Sequence, residues 1–174
     1  MSAISGRNLG PAGDGYAPEP RIWASVIRGL ELPLAEHGLD LTDILADCGI
    51  EAEELDRAQG SIPLRKYLTF VETAARTAND PLLGLKMSRS TGPEALGAVG
   101  FLFLSSRTLL QAISNLCAYA NLLQEGTHIQ FSTDRNELTF RYQVLRVPDI
   151  DCRQDVEFSL GIICRLIRIY AGAS

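Results

Sequence analysis

A long apolar stretch, uncharged over most of its length, constrains the fold of this chain more than any other feature of its sequence. It runs from Gly97 to Leu109, and no charge interrupts it between Gly97 and Ser106. Leaving its phenylalanine, leucine and valine side chains in water would cost about 1.5–3 kcal/mol each, so the segment must be buried. Gly97 and Gly100 would share one face of a helix and let another backbone approach closely. The pattern alone does not distinguish a short buried helix from a buried strand.

Segments on both sides of this stretch have the three- and four-residue apolar spacing that is typical of amphipathic helices. We predict helices over 21–38, 40–47, 51–55, 61–79, 82–87 and 105–126, with a turn as the alternative for 51–55. Pro33 should bend or restart the first helix. Ser61 or Ile62 should cap the fourth, with Pro63 in its first turn. A serine at 105 or 106 is the expected amino-terminal cap of the last.

From His128 to Val147 the apolar pattern changes to a period of two residues. Apolar and polar side chains alternate before and after 134–137, where charged residues and an asparagine interrupt the pattern. This predicts a β-hairpin with its turn at 134–137. A lone hairpin is only marginally stable, so it must lie against helices or pair with another strand.

The segment 151–170 is predicted to form a long closing helix. Val156, Leu160, Ile163 and Ile167 recur along it at heptad spacing. Two interpretations of this seam stay open, packing onto the hairpin and contact with a second copy of the chain. The predicted fold class is therefore α+β, a mostly helical domain with a β-hairpin or small antiparallel sheet packed on helices and a long closing helix.

Composition limits the domain organisation and the partners of the chain. Residues 1–20 are rich in glycine and proline and poor in apolar residues, so we predict a disordered tail followed by one domain over 21–171. The net charge of -5 argues against binding of nucleic acid by this domain itself. No apolar run is long enough for a transmembrane helix and no secretory signal is visible. We expect a cytoplasmic protein without a membrane partner.

The sequence lacks the patterns that carry catalysis or metal binding. Cys48, Cys117, Cys152 and Cys164 are too scattered for a zinc or redox site and are interpreted as small, partly buried thiols. The two histidines lie in distant segments, and no nucleophile elbow, phosphate-binding glycine loop or zinc-protease motif occurs. We therefore expect no enzyme activity, no cofactor and no metal site.

Several short motifs occur in a set order along the chain. They are Ile62–Tyr67, Asn79–Leu85, Gly97–Phe101, Ser105–Leu109 with Ala112 and Tyr119 after it, and Arg153–Asp155. In this order the motifs resemble the amino-terminal effector domain of AraC-type bacterial transcription regulators, in the subgroup called arabinose-binding-like. The resemblance runs from about Leu39 to Tyr170.

This resemblance implies a ligand-sensing regulatory domain that binds a small metabolite, forms a homodimer, or does both, to control an attached DNA-binding domain. Regulators of this type continue into a basic domain with two helix-turn-helix units, which this sequence does not contain. We therefore expect contact with DNA only through that absent carboxyl-terminal domain. A dimerisation module without an effector, and less favourably a small enzyme, are the alternatives. No residue identifies a sugar site, so the subgroup's name does not make arabinose the effector.

An effector pocket should be mostly apolar with a few polar groups, and we place it between the hairpin and the helices. The candidates to line it are Phe101, Phe103, Tyr119, Phe140 and Tyr142, together with Arg65, which could bind a carboxylate through two hydrogen bonds. Ordinary core packing is the alternative for each aromatic residue, and a surface or helix-capping ion pair for the arginine. The candidate dimer interface is the seam of the closing helix, Val156, Leu160, Ile163 and Ile167.

Overall fold

The computed structural model describes residues 18–57, 60–135 and 137–172, and it confirms the mostly helical α+β class. Within these ranges the α-helices are α1 (Glu31–Ala35), α2 (Leu41–Asp47), α3 (Glu53–Asp56), α4 (Leu64–Thr77), α5 (Leu83–Ser90), α6 (Gly97–Leu104), α7 (Leu109–Tyr119) and α8 (Arg153–Tyr170). The strands are β1 (Arg21–Trp23), β2 (Ser61–Pro63), β3 (Thr127–Asp134) and β4 (Glu137–Val144). Short 3-10 helices cover Ala24–Leu30, Pro93–Leu96 and Ala120–Leu122.

Helix α4 is the centre of the hydrophobic core. Its residues Leu64, Tyr67, Leu68 and Phe70 are completely buried, and they point in several directions around the helix. A helix that is buried on so much of its circumference needs neighbours on several sides. Helices α2, α5 and α8 and the strand β2 supply them.

The amino-terminal part of the domain differs from the prediction. Residues 21–38 were predicted to form one helix, but they form strand β1, a 3-10 helix and the short α1. Strand β1 pairs antiparallel with β2, which places Ile22 opposite Ile62 and buries both side chains. The same pairing makes 61–63 extended, so helix α4 begins at Leu64 rather than at Ser61. The prediction was wrong because the pairing partner lies far away along the chain.

The predicted tail over 1–20 falls mostly outside the described residues, which begin at Pro18. Pro20 is buried, and its carbonyl oxygen accepts a hydrogen bond from the Leu64 amide at 2.7 Å. Disorder of residues 1–17 stays a prediction, whereas Pro20 already belongs to the folded domain.

The uncharged apolar stretch forms helix α6 over most of its length, which settles the choice between helix and strand. A Cβ added to Gly100 would lie 2.1 Å from the Pro93 carbonyl oxygen, and one added to Gly97 would lie 2.6 Å from the Trp23 ring. Gly100 therefore allows the close backbone approach that was predicted, whereas Gly97 makes room for a side chain. The cap of the next helix is Thr108, whose hydroxyl accepts from the amide of residue 111, and not a serine at 105 or 106.

The hairpin prediction is confirmed. Strands β3 and β4 are antiparallel in a register that places Ile129 opposite Tyr142 and Phe131 opposite Phe140. One face of the hairpin is half-buried against the helices and the other is exposed, as the alternating pattern requires. Arg135 in the turn has a positive φ of 49°, the left-handed conformation that such turns need.

The closing helix prediction is also confirmed, because α8 spans Arg153–Tyr170. Its core-facing side carries Phe158, Ile162 and Leu166, none of which belongs to the predicted seam. The four seam residues consequently differ in exposure. Ile163 is buried, Val156 and Ile167 are half-buried, and Leu160 is 40% exposed. In the described part of the chain, no helix has the length and apolar character needed to cross a membrane.

Candidate functional site

A cavity of about 70 Å³ lies between the hairpin and the helices beneath it. Its walls come from the first 3-10 helix, α7, strand β3 and the closing helix. Apolar side chains make up most of the wall, among them Val26, Leu116, Ile129, Phe158, Ile162 and Leu166. No charged side chain occurs among the described residues that line it. The cavity therefore suits an apolar occupant.

The cavity has one polar end, where Gln124 and Tyr142 lie beside the closing helix. The Tyr142 hydroxyl donates to Oδ2 of Asp155 at 2.6 Å. The Gln124 amide nitrogen donates to the Tyr142 oxygen at 2.8 Å and lies 3.4 Å from Asp155 Oδ2. This network ties the segment before the hairpin, strand β4 and helix α8 to one carboxylate.

Asp155 is fully buried behind this polar end. Burial, and to a smaller extent the nearby charge of Glu72, raise the pKa of its carboxyl to about 6, although hydrogen bonds from Tyr142 and Gln124 favour the charged form. Burial, and next the charge of Asp155, raise the pKa of the Tyr67 and Tyr142 hydroxyls well above their usual range. Asp155 Oδ1 and the Tyr67 hydroxyl make no hydrogen bond of normal geometry with a described residue. The cluster is therefore only partly satisfied.

Helix α8 is fixed at its amino end by buried contacts from α4 and α5. The Gln154 amide donates to Oε1 of Glu72 at 2.8 Å, and Oε1 of Gln154 accepts from the Gly84 amide at 2.7 Å. A Cβ on Gly84 would lie 2.2 Å from the Gln154 carbonyl oxygen, so the two backbones touch there. The position of Asp155 is thus set by the residue directly before it in the first turn of the helix.

A second concave surface lies on the other side of the closing helix, where α5 and α8 form an open groove of about 810 Å³. We call it the α5–α8 groove. Leu85, Leu160 and Ile169 give it an apolar floor, and Arg165 and Arg168 lie at one end. Helix α8 therefore connects the cavity on one side with the groove on the other.

The model of one protein family, described as the arabinose-binding domain of AraC transcription regulator, N-term, matches residues 38–174. The match covers well over half of the chain. The chain belongs to this AraC arabinose-binding domain family. Its members are regulatory domains and the family is not one of enzymes, in agreement with the ligand-sensing type expected from the motifs. A search of curated proteins found no match.

The structure of this AraC-type domain distributes the predicted pocket residues over several places. Tyr142 lines the cavity, and Phe140 packs on the same face of the hairpin without lining it. Phe103 is fully buried in the core, in edge-to-face contact with Tyr170. The other three residues are exposed on the surface, and they are Arg65, Phe101 and Tyr119. Among the six, the structure brings only Tyr142 to the cavity.

Two polar residues of the site, Gln124 and Asp155, were not among the candidates predicted from the sequence. Gln124 sits in a short link after a 3-10 helix, where no periodic pattern singles it out. Asp155 carries a readable signal, since it precedes Phe158 and Ile162 on the same face of the closing helix. A carboxyl group on an apolar helix face needs a hydrogen-bond partner or has a shifted pKa. Asp155 has both, a hydrogen bond from Tyr142 and a raised pKa.

In the ranges that the structure describes, no three His, Cys, Asp or Glu side chains are grouped so that they could hold a metal ion. All four cysteines are free thiols. Burial raises the pKa of the Cys117 thiol to about 11, which keeps it protonated and unreactive at neutral pH.

Proposed function

We propose that this AraC-type domain senses a small molecule that binds in the cavity between the hairpin and the closing helix. The supporting observation is the combination of an apolar wall with a single polar end at Gln124 and Tyr142. Effector sites commonly have this composition, in which apolar surface supplies affinity and a few polar groups fix orientation.

The closing helix is the element that would carry the ligand signal. Phe158 and Ile162 contribute to the cavity, while Leu160 and Arg165 on other sides of the same helix line the α5–α8 groove. The cavity is about 70 Å³, less than half of the roughly 150 Å³ that accommodates benzene in an apolar core. An effector of more than a few atoms must therefore displace the hairpin or α8. A ligand that binds the displaced arrangement more tightly shifts the domain toward it.

A substitution that fills the cavity tests the location of this site. Ala120 lines the cavity, whereas Ala118 is exposed on α7 and does not. Compounds from a metabolite library that stabilise the wild-type domain in thermal unfolding should stabilise Ala118→Leu equally and Ala120→Leu much less. At a hundredfold excess over Kd, binding adds about 2.7 kcal/mol to the free energy of unfolding. Equal stabilisation of all three proteins would place the effector elsewhere.

We further propose that the domain self-associates through the α5–α8 groove. Leu160 and Ile169 are exposed apolar side chains in this groove. Glu157 and Arg165 lie eight residues apart on α8 and both line the groove, so an antiparallel pairing of two copies along this groove would bring opposite charges together. Oε1 of Glu157 already accepts from Nε of Arg153 at 2.8 Å, so a partner's arginine would extend this ion pair.

Replacing Leu160 by glutamate should abolish self-association with little effect on folding, because this side chain is 40% exposed. Leu145→Glu is the matched control, since Leu145 is exposed after strand β4. Sedimentation at high concentration should show dimers for the wild type and the control, and monomers for Leu160→Glu. Ile163 is unsuitable for this test, because it is buried and lines the cavity. Identical sedimentation of all three proteins would rule out the groove as the contact.

A further inference from the structure

Most hydrogen-bond donors at the polar end of the cavity are already used within the protein. The Tyr142 hydroxyl donates to Asp155, and the Gln124 amide nitrogen donates to the Tyr142 oxygen. The Thr127 hydroxyl donates to the Gln124 main-chain oxygen at 3.1 Å. Ser159 is the remaining hydroxyl that lines the cavity, and it can donate or accept.

The free capacity at this end is mainly that of an acceptor. Because the single proton of the Tyr142 hydroxyl goes to Asp155, Gln124 must turn its amide nitrogen toward Tyr142. Oε1 of Gln124 then makes no hydrogen bond with the residues that the structure describes. The carboxylate of Asp155 lies directly behind, and no lysine or arginine is among the described lining residues. The electrostatic environment therefore favours a donor or a positive charge on the ligand and disfavours an anion.

The remainder of the wall is apolar and offers no partners for further polar groups. A sugar such as arabinose would bury several hydroxyl groups against Leu116, Ile129 and Phe158 without hydrogen bonds. Buried polar groups without partners oppose binding, because they lose their hydrogen bonds to water and gain none. The cavity volume of about 70 Å³ adds the further restriction that the occupant is small.

We infer that the effector of this domain is a small apolar molecule with one hydrogen-bond-donating head group, an alcohol or an amine, and that it is neither a sugar nor a carboxylate. This inference rests on the proposed function of the cavity and names the chemistry that fits it. The apolar part would lie against Leu116 and Ile162, and the head group would donate to Oε1 of Gln124.

Three four-carbon probes with different head groups, together with a sugar, test the inference. Heteronuclear NMR of the domain at pH 7 would compare 1-butanol, 1-butylamine, butyrate and L-arabinose, with xenon as a probe that has no polar group. We expect saturable shifts at the methyl groups of Ile129 and Ile162 with xenon, 1-butanol and 1-butylamine. The affinity for butyrate should be at least tenfold weaker, and arabinose should cause no shift.

Two variants report on the head group. Gln124→Met should weaken the binding of 1-butanol and 1-butylamine about tenfold and leave xenon binding unchanged. The control Gln111→Met, at an exposed position, should bind all three probes as the wild type does. The order of affinities in the wild type decides the question even where Gln124→Met does not fold. Tighter binding of butyrate or arabinose than of 1-butanol at these methyl groups would overturn the inference and leave the cavity as the effector site. Absence of shifts with every probe, xenon included, would overturn both.

Discussion

Replacing Gly84 by alanine is expected to lower the free energy of unfolding by about 3 kcal/mol. The added Cβ would lie 2.2 Å from the Gln154 carbonyl oxygen and 2.9 Å from two further backbone atoms of that residue. Backbone atoms of a buried helix end cannot rotate away as a side chain can. Helix α8 would therefore have to shift as a body and would lose the hydrogen bond between the Gly84 amide and Oε1 of Gln154.

The expected decrease in stability is opposite in sign to the usual effect of replacing glycine by alanine in a helix. Alanine in place of glycine inside a helix normally stabilises by about 0.5–1 kcal/mol, because glycine loses more conformational freedom on folding. A decrease in the free energy of unfolding of Gly84→Ala would thus result from the contact with α8 and not from helix propensity. Ser90→Ala, at an exposed position of the same helix, is the control and should change stability little. Denaturant unfolding of the three proteins measures the difference, and an unchanged Gly84→Ala midpoint would mean that α8 is not held at this point.

The same substitution should also affect the polar end of the cavity. Asp155 follows Gln154 directly, so a shift of the helix end moves the carboxylate that accepts from Tyr142. NMR resonances of the Tyr142 ring should change in Gly84→Ala and stay as in the wild type in Ser90→Ala. The α5 contact would then be a determinant of the cavity's polar end.

Local periodicity predicted those elements whose partners are close in sequence or whose buried face is long. The hairpin over 127–144 and the helix over 153–170 both follow directly from their apolar spacing. Strand β1 does not, because three residues carry no measurable period and their partner β2 begins 38 residues after Trp23, at Ser61. The first helix was overextended for this reason.

The candidate site was less predictable than the fold. Its position between the hairpin and the helices follows from the need to cover a lone hairpin. Its polar end joins Tyr67, Gln124, Tyr142 and Asp155, which come from four separate elements. Aromatic residues were the natural candidates, but Phe101 lies 61% exposed and Phe103 is fully buried, since neighbouring positions on helix α6 face opposite ways. The sequence indicates which residues are apolar, and only the packing decides which of them meet.

Replacing Asp155 by asparagine is expected to remove a pH dependence of stability that amounts to about 3 kcal/mol. Burial raises the pKa of the Asp155 carboxyl from 3.8 to about 6 in the folded domain. Since folding favours the protonated form, the stabilisation is complete below about pH 4 and is lost as the pH rises through about 6. The free energy of unfolding of the wild type, relative to that of Asp155→Asn, should therefore decrease as the pH rises from about 4 to about 6. Above pH 7 the difference should stay constant.

Asparagine is the appropriate replacement because its carbonyl oxygen can still accept from the Tyr142 hydroxyl and its amide carries no charge. Burial also raises the pKa of the Glu72 carboxyl, but Glu72 is present in both proteins, so the difference between them reports mainly on Asp155. Asp134→Asn, in the exposed end of strand β3, is the control and should follow the wild type at every pH. Denaturant unfolding at half-unit steps of pH from 4 to 8 gives the three curves. Parallel curves for the wild type and Asp155→Asn would show that Asp155 keeps an ordinary pKa and is solvated.

The pH dependence connects the buried carboxylate with the proposed sensing. The ionised form of Asp155 is the costly one in the folded domain, and a head group that donates to the polar end of the cavity would lower that cost. Binding of 1-butylamine should therefore tighten as the pH rises from 5 to 7, whereas its dependence on pH should be largely lost in Asp155→Asn. The amine itself stays protonated throughout this range, so the change reports on Asp155. An equal pH dependence in both proteins would separate the carboxylate from the cavity and leave it a purely structural group.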